Sequence, residues 1–101
     1  MRDVHIMDIA LNLARIGNWA ADDFDGKEKR IKMFLDQTRG YLNDLDITAY
    51  PESTQQALAR FFQVFTVLHE RTPSTLEERL RWADTILTWS NILTHKARIG
   101  E

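Results

Sequence analysis

Hydrophobic side chains recur along this chain every three to four residues, which is the period of an amphipathic α-helix. No stretch of useful length alternates strictly between apolar and polar residues, as a half-buried β-strand does. The helical pattern occupies four segments, at about residues 3–21, 26–45, 52–71 and 75–99. We therefore predict an all-α protein in which residues 1–101 form a single helical-bundle domain.

Short connections between four such segments favour antiparallel neighbours, so the expected architecture is an up-down four-helix bundle. The alternative is a three-helix bundle in which helix 1 is broken at Gly17. An interior glycine costs a helix about 1 kcal/mol relative to alanine. We favour a continuous helix in which Gly17 faces a close neighbour. Trp19 then falls on the polar side of a regular helix, and the pattern leaves open whether it is exposed or turned inward.

Residues that typically cap helices stand close to the expected boundaries. Asp3 is the expected N-cap of helix 1. Three pairs have the spacing of a capping box, namely Asp25 with Glu28, Ser53 with Gln56, and Ser74 with Glu77. Helix 4 is expected to end near Ile99, where Gly100 stops it.

Helices 3 and 4 carry more apolar surface than one bundle core requires. Residues 57–68 read ALARFFQVFTVL, with an apolar face roughly twice as wide as an ordinary stripe. Helix 4 has an expected core stripe formed by Leu76, Leu80, Ala83 and Leu87. A second apolar stripe beside it is formed by Trp82, Ile86, Trp89 and Leu93. Because aromatic anchors are enriched at interfaces, we predict that the second stripe is covered by another molecule.

The predicted interaction surface combines this second stripe with the flank of helix 3. Its members are Val64, Val67, Trp82, Ile86, Trp89 and Leu93. Two other interpretations stay open: the wide stripes simply close the bundle tightly, or they enclose a slot for a small hydrophobic ligand.

Composition and charge exclude several classes of protein. The chain has 101 residues, a mass of 11.8 kDa and a net charge of −2. That charge gives no general attraction to nucleic acid. The absence of cysteine excludes a disulfide framework, a thiolate zinc site and a thiol nucleophile. The first residues lack the pattern of a signal peptide, and no run approaches the ~18 apolar residues of a membrane span. We expect a cytoplasmic protein.

The sequence has one basic cluster, at the start of helix 2. It consists of Lys27, Lys29, Arg30 and Lys32. Four acids adjoin it, at positions 22, 23, 25 and 28, so a mutually neutralised surface turn is the favoured interpretation. Contact with an anion or an acidic partner is the alternative.

No catalytic, metal-ligating or cofactor-binding pattern is present. The acidic turn at 22–26 resembles part of a calcium loop, but Ala21 and Lys32 stand at the first and last ligand positions. None of the three histidines follows a glutamate at the spacing that di-iron bundles use. We therefore predict no metal, no cofactor and no catalytic residue.

The sequence thus predicts a small non-enzymatic interaction, regulatory or adaptor domain. It is expected to bind through helices 3 and 4, either to a second copy as a homodimer or to another protein. A bundle that binds a small hydrophobic ligand or cofactor is one alternative. A nucleic-acid-associated regulator that uses the basic start of helix 2 is the other.

Overall fold

The structure, a computed structural model, describes residues 5–100. Four α-helices fill most of this range: α1 (Ile6–Asp23), α2 (Glu28–Asp44), α3 (Glu52–Glu70) and α4 (Leu76–Gly100). A short 3-10 helix (Ile47–Ala49) lies in the connection between α2 and α3. No β-strand occurs in the described range, so the all-α prediction is confirmed. The predicted N-cap Asp3 lies outside the described residues.

Contacts between the helices establish an antiparallel up-down-up-down order. Asn12 of α1 bonds Thr38 of α2, whereas Trp19, two turns later in α1, packs on Phe34, one turn earlier in α2. α4 returns beside α1, where the hydroxyl of Ser90 donates to the carbonyl oxygen of Ala10 at 2.8 Å. The four-helix architecture is therefore confirmed, and the three-helix alternative is wrong.

Small residues allow α1 and α4 to pack more closely than any other pair of helices. α1 runs unbroken through Gly17, which is buried against Leu87 of α4. The other small buried residues at this contact are Ala10 and Ala20 on α1, and Ala83, Ser90 and Ala97 on α4. Because the distance between helix axes depends on the side chains at the contact, these residues bring the two backbones together.

Large side chains hold α3 farther from its neighbours. Phe61 is fully buried and contacts the rings of Phe65 and Trp89, with centroid distances of 5.6 and 5.3 Å. Rings of this size fill the centre of the bundle but keep the α3 backbone away from α2 and α4. Open grooves consequently remain along both flanks of α3.

The core-facing side of α4 differs from the prediction. Leu76 and Leu80, two members of the predicted core stripe, are 72% and 50% exposed. Ala83 of the predicted stripe is buried, and the other buried side chains described in α4 are Trp82, Ile86, Ser90, Leu93 and Ala97. The helix is rotated because the small residues Ala83, Ser90 and Ala97 recur every seven positions and face α1.

Three of the helix starts also differ from the prediction. The side chain of Asp23, rather than Asp25, accepts a hydrogen bond at the turn, from the backbone N–H of Gly26 at 3.1 Å. Pro51 is the N-cap of α3, which places Ser53 inside the helix. At α4 the cap lies one residue later than predicted, since the hydroxyl of Thr75 accepts from the backbone N–H of Glu78 at 3.1 Å.

Trp19 has a defined place in the seam between α1 and α2. Its ring meets that of Phe34 edge to face, with a centroid distance of 4.9 Å. The guanidinium of Arg30 lies over the Trp19 ring at 5.3 Å from its centroid. The tryptophan is therefore partly buried without any break or bend in α1.

Candidate interaction surface between the third and fourth helices

Half of the predicted interaction surface lies in the core of this chain. Trp82, Ile86 and Leu93 are 6%, 0% and 0% exposed, so they are not available to another molecule in this fold. The prediction that these three side chains form an external surface is wrong. They point inward because the rotation of α4 turns its second stripe, and not its leucine stripe, toward α3.

Trp82 is held inside by a polar contact as well as by packing. Its indole N–H donates to the carbonyl oxygen of Leu68 at 3.1 Å, near the end of α3. Its ring meets Phe24 edge to face, with a centroid distance of 5.6 Å. This satisfied donor is what a buried tryptophan requires, so the side chain belongs to the core.

The other three predicted residues remain at the surface to different degrees. Val67 is 54% exposed, whereas Val64 and Trp89 are partly buried. Trp89 packs against Phe61 and also lines a groove of about 330 Å³ between α3 and α4. We call this the α3/α4 groove. It is lined by Ser53, Gln56, Ala57 and Arg60 of α3 and by Trp89, Ile92 and Lys96 of α4.

The α3/α4 groove combines apolar contact area with positive charge. Ile92 is 36% exposed and lies one turn from Trp89 on α4. Arg60 and Lys96 both contribute to the lining, and no acidic side chain does. Within the described range neither cation forms an ion pair. The groove is therefore a positively charged, partly aromatic surface on a chain whose net charge is −2.

A second groove, of about 270 Å³, lies between α2 and the end of α3. Phe24, Ile31 and Leu35 line its apolar part. A polar contact crosses between the helices here, with Nε2 of His69 at 2.7 Å from Oδ1 of Asp36. Lysine and glutamate side chains line the same groove, so charges of both signs surround it. This mixture favours no particular charge in a ligand.

The predicted basic cluster is dispersed rather than concentrated. Lys27 is partly buried, and Lys29, Arg30 and Lys32 are exposed on α2. Arg30 lies over Trp19, whereas Lys32 faces the groove between α2 and α3 together with Glu28. Arg30 and Lys32 therefore do not converge on one site for an anion.

Residues 5–100 contain neither a metal-binding cluster nor a membrane-spanning helix. No group of three histidine, aspartate or glutamate side chains comes together in a way that would hold a metal ion. In the same range, no helix combines the length and the apolar character needed to cross a membrane.

Comparisons with family models, curated proteins and solved structures found no match to this chain.

Sequence reasoning missed the two cations of the α3/α4 groove and the exposed Ile92. Arg60 stands among apolar residues of α3, where it marks the edge of the buried face. Lys96 lies seven residues after Trp89, so the two share one face of α4. These spacings are visible in the sequence, but their meaning depends on which stripe of α4 faces inward.

Proposed function

We propose that this chain is a non-enzymatic protein-interaction domain whose binding surface is the α3/α4 groove. The observation that carries the proposal is the position of Trp89, partly buried on Phe61 and bordered by Ile92, Arg60 and Lys96. Aromatic residues and arginine are enriched at protein interfaces, and a few such anchors supply most of the binding energy.

The charges of the α3/α4 groove indicate the chemistry of its partner. Arg60 and Lys96 favour a segment that carries carboxylates, and Trp89 and Ile92 favour apolar side chains between them. A two-fold contact of this groove with itself would place the cations of one copy against those of the other. That arrangement is unfavourable, so the predicted homodimer, formed as such a two-fold contact, is not what we propose.

Both alternative functions have weaker support. The α3/α4 groove is open and lined by hydroxyl, amide and charged groups, whereas pockets for small hydrophobic ligands are mostly apolar and bury the greater part of the ligand. Nucleic-acid binding would require a continuous basic surface, and the cations of α2 diverge among acidic neighbours.

The experiment that tests this function compares two surface variants as tagged baits in a native extract. Ile92→Asp places a charge in the groove. Met33→Asp is the matched control, since Met33 is 64% exposed on α2 and distant from the groove. We expect wild type and Met33→Asp to retain the same partner and Ile92→Asp to lose it. Equal retention by all three proteins would contradict the proposal, provided that circular dichroism shows each variant to be folded.

A further inference from the structure

The outer side of α4 carries a second apolar surface without a cover. Leu76 and Leu80 are 72% and 50% exposed. Two carboxylates flank Leu80 on the helix surface, Glu77 three residues before it and Asp84 four residues after it. We call Glu77, Leu80 and Asp84 the acidic ridge.

The carboxylates of the acidic ridge are accessible for pairing. Asp84 is exposed and forms no ion pair with another described residue. Glu77 is paired with Arg81 one turn along α4. The side chain of Arg81 is 77% exposed and that of Glu77 is 75% exposed. Such an exposed pair is weak and exchanges readily for another partner.

The acidic ridge and the α3/α4 groove match in spacing as well as in charge. Glu77 and Asp84 are seven residues apart, which is about 10 Å along a helix. Arg60 lies beside Trp89 because α3 and α4 are antiparallel and the ring of Trp89 contacts Phe61. Lys96 is two turns farther along α4, so the backbone positions of Arg60 and Lys96 are about 10 Å apart along the helix axis. Leu80 lies between the two carboxylates, and Ile92 lies between the two cations.

We propose that the acidic ridge of one copy occupies the α3/α4 groove of the next copy. This inference rests on the proposed function of the groove and names its occupant. Leu80 and Trp89 are nine residues apart and therefore lie on opposite sides of α4. One chain thus engages two neighbours, and the contact is head-to-tail. Such a contact continues beyond a dimer, into rings or open chains.

Sedimentation of the purified full chain tests the proposal from about 10 μM to 1 mM. We expect wild type to form species larger than a dimer as the concentration rises. Ile92→Asp disables the groove and Leu80→Asp disables the ridge, and each should weaken association at least tenfold. Met33→Asp should associate like wild type. Raising NaCl from 50 to 500 mM should weaken wild-type association about three- to tenfold, because exposed ion pairs are screened.

A mixture of the two disabled variants gives the sharpest result. Leu80→Asp retains an intact groove, and Ile92→Asp retains an intact ridge. Each variant alone should be monomeric, and an equimolar mixture should form a 1:1 dimer that grows no further. Failure of the folded variants to form that dimer would overturn the proposal.

Two further results with wild type would also overturn head-to-tail assembly. One is a monomer that persists to 1 mM, and the other is association that stops at a closed dimer. If either occurs while the groove variant still loses its partner in the extract, the proposed function stands and only the identity of the occupant is wrong. If the groove variant retains the partner as well, both proposals fail.

Discussion

Gly17 of α1 and Leu87 of α4 share a space that admits one side chain. A β-carbon built on Gly17 would lie 2.5 Å from Cγ of Leu87 and 3.4 Å from the carbonyl oxygen of Ala83. The first distance is well inside van der Waals contact, so the two helices would have to separate or Leu87 would have to move. Leu87 is thereby packed over the glycine at the closest helix contact of the fold.

Gly17→Ala should consequently lower the free energy of unfolding, despite the higher helix propensity of alanine. Overpacking of a close contact typically costs about 1–3 kcal/mol. Gly40→Ala is the matched control, because a β-carbon there meets nothing within 4 Å. That substitution should raise the free energy of unfolding by up to about 1 kcal/mol through propensity alone. Urea denaturation of both variants measures the difference, and a stabilising Gly17→Ala would disprove the close contact.

Thr75→Ala should destabilise the protein by about 0.5–2 kcal/mol. The substitution removes the hydroxyl that accepts from the backbone N–H of Glu78 in the first turn of α4. Ser53→Ala serves as the comparison, since Ser53 lies inside α3 and is exposed. Its effect on thermal stability should stay within about 0.5 kcal/mol. A larger destabilisation by Ser53→Ala than by Thr75→Ala would contradict this assignment and indicate that Ser53 caps α3.

Trp82→Phe should cost more stability than Trp89→Phe. The first change leaves the carbonyl oxygen of Leu68 without its indole donor in a buried site, which costs about 1–3 kcal/mol. Trp89 is only partly buried and packs on Phe61 through ring contact, which phenylalanine can partly preserve. Chemical denaturation followed by far-ultraviolet circular dichroism should give a lower free energy of unfolding for Trp82→Phe than for Trp89→Phe. Equal values for the two variants would indicate that both rings occupy similar environments.

Much of the fold follows from the sequence because helix periodicity and short connections leave few arrangements. The segment boundaries agree to within a few residues, and the continuity of α1 through Gly17 was the favoured interpretation. The caps at Asp25, Ser53 and Ser74 were wrong because several polar residues stand at each helix start. Local spacing alone does not choose among neighbouring candidates.

The orientation of α4 could not be read from its apolar pattern. Its two stripes are both rich in large apolar side chains, so the leucines at 76 and 80 and the tryptophans at 82 and 89 compete equally for the core. The orientation of α4 is set by its packing on α1, whose small residues allow Ala83 and Ser90 to lie close to the α1 backbone. Ser90 gave no apolar signal, yet its hydroxyl bonds the backbone of Ala10.

The candidate site was only partly predictable for the same reason. Trp89 was identified as an interaction residue, and its place at the margin of α4 keeps it within reach of solvent. The cations at Arg60 and Lys96 belong to different helices, and the antiparallel packing of α3 and α4 alone brings them to one groove. Because the two residues are far apart in the sequence, their common location could not be predicted from it.

Nuclear magnetic resonance of the ¹⁵N-labelled chain tests most directly whether copies of the chain bind each other through the α3/α4 groove. The indole N–H groups of the three tryptophans give separate probes of the groove, the core and the α1/α2 seam. On concentrating the protein from about 20 μM to 1 mM, we expect the Trp89 indole and the amides of Ile92 and Leu80 to shift together. The indole signals of Trp82 and Trp19 should stay in place. Shifts confined to the groove between α2 and α3, or no shift at Trp89, would contradict the binding of a second copy in the α3/α4 groove.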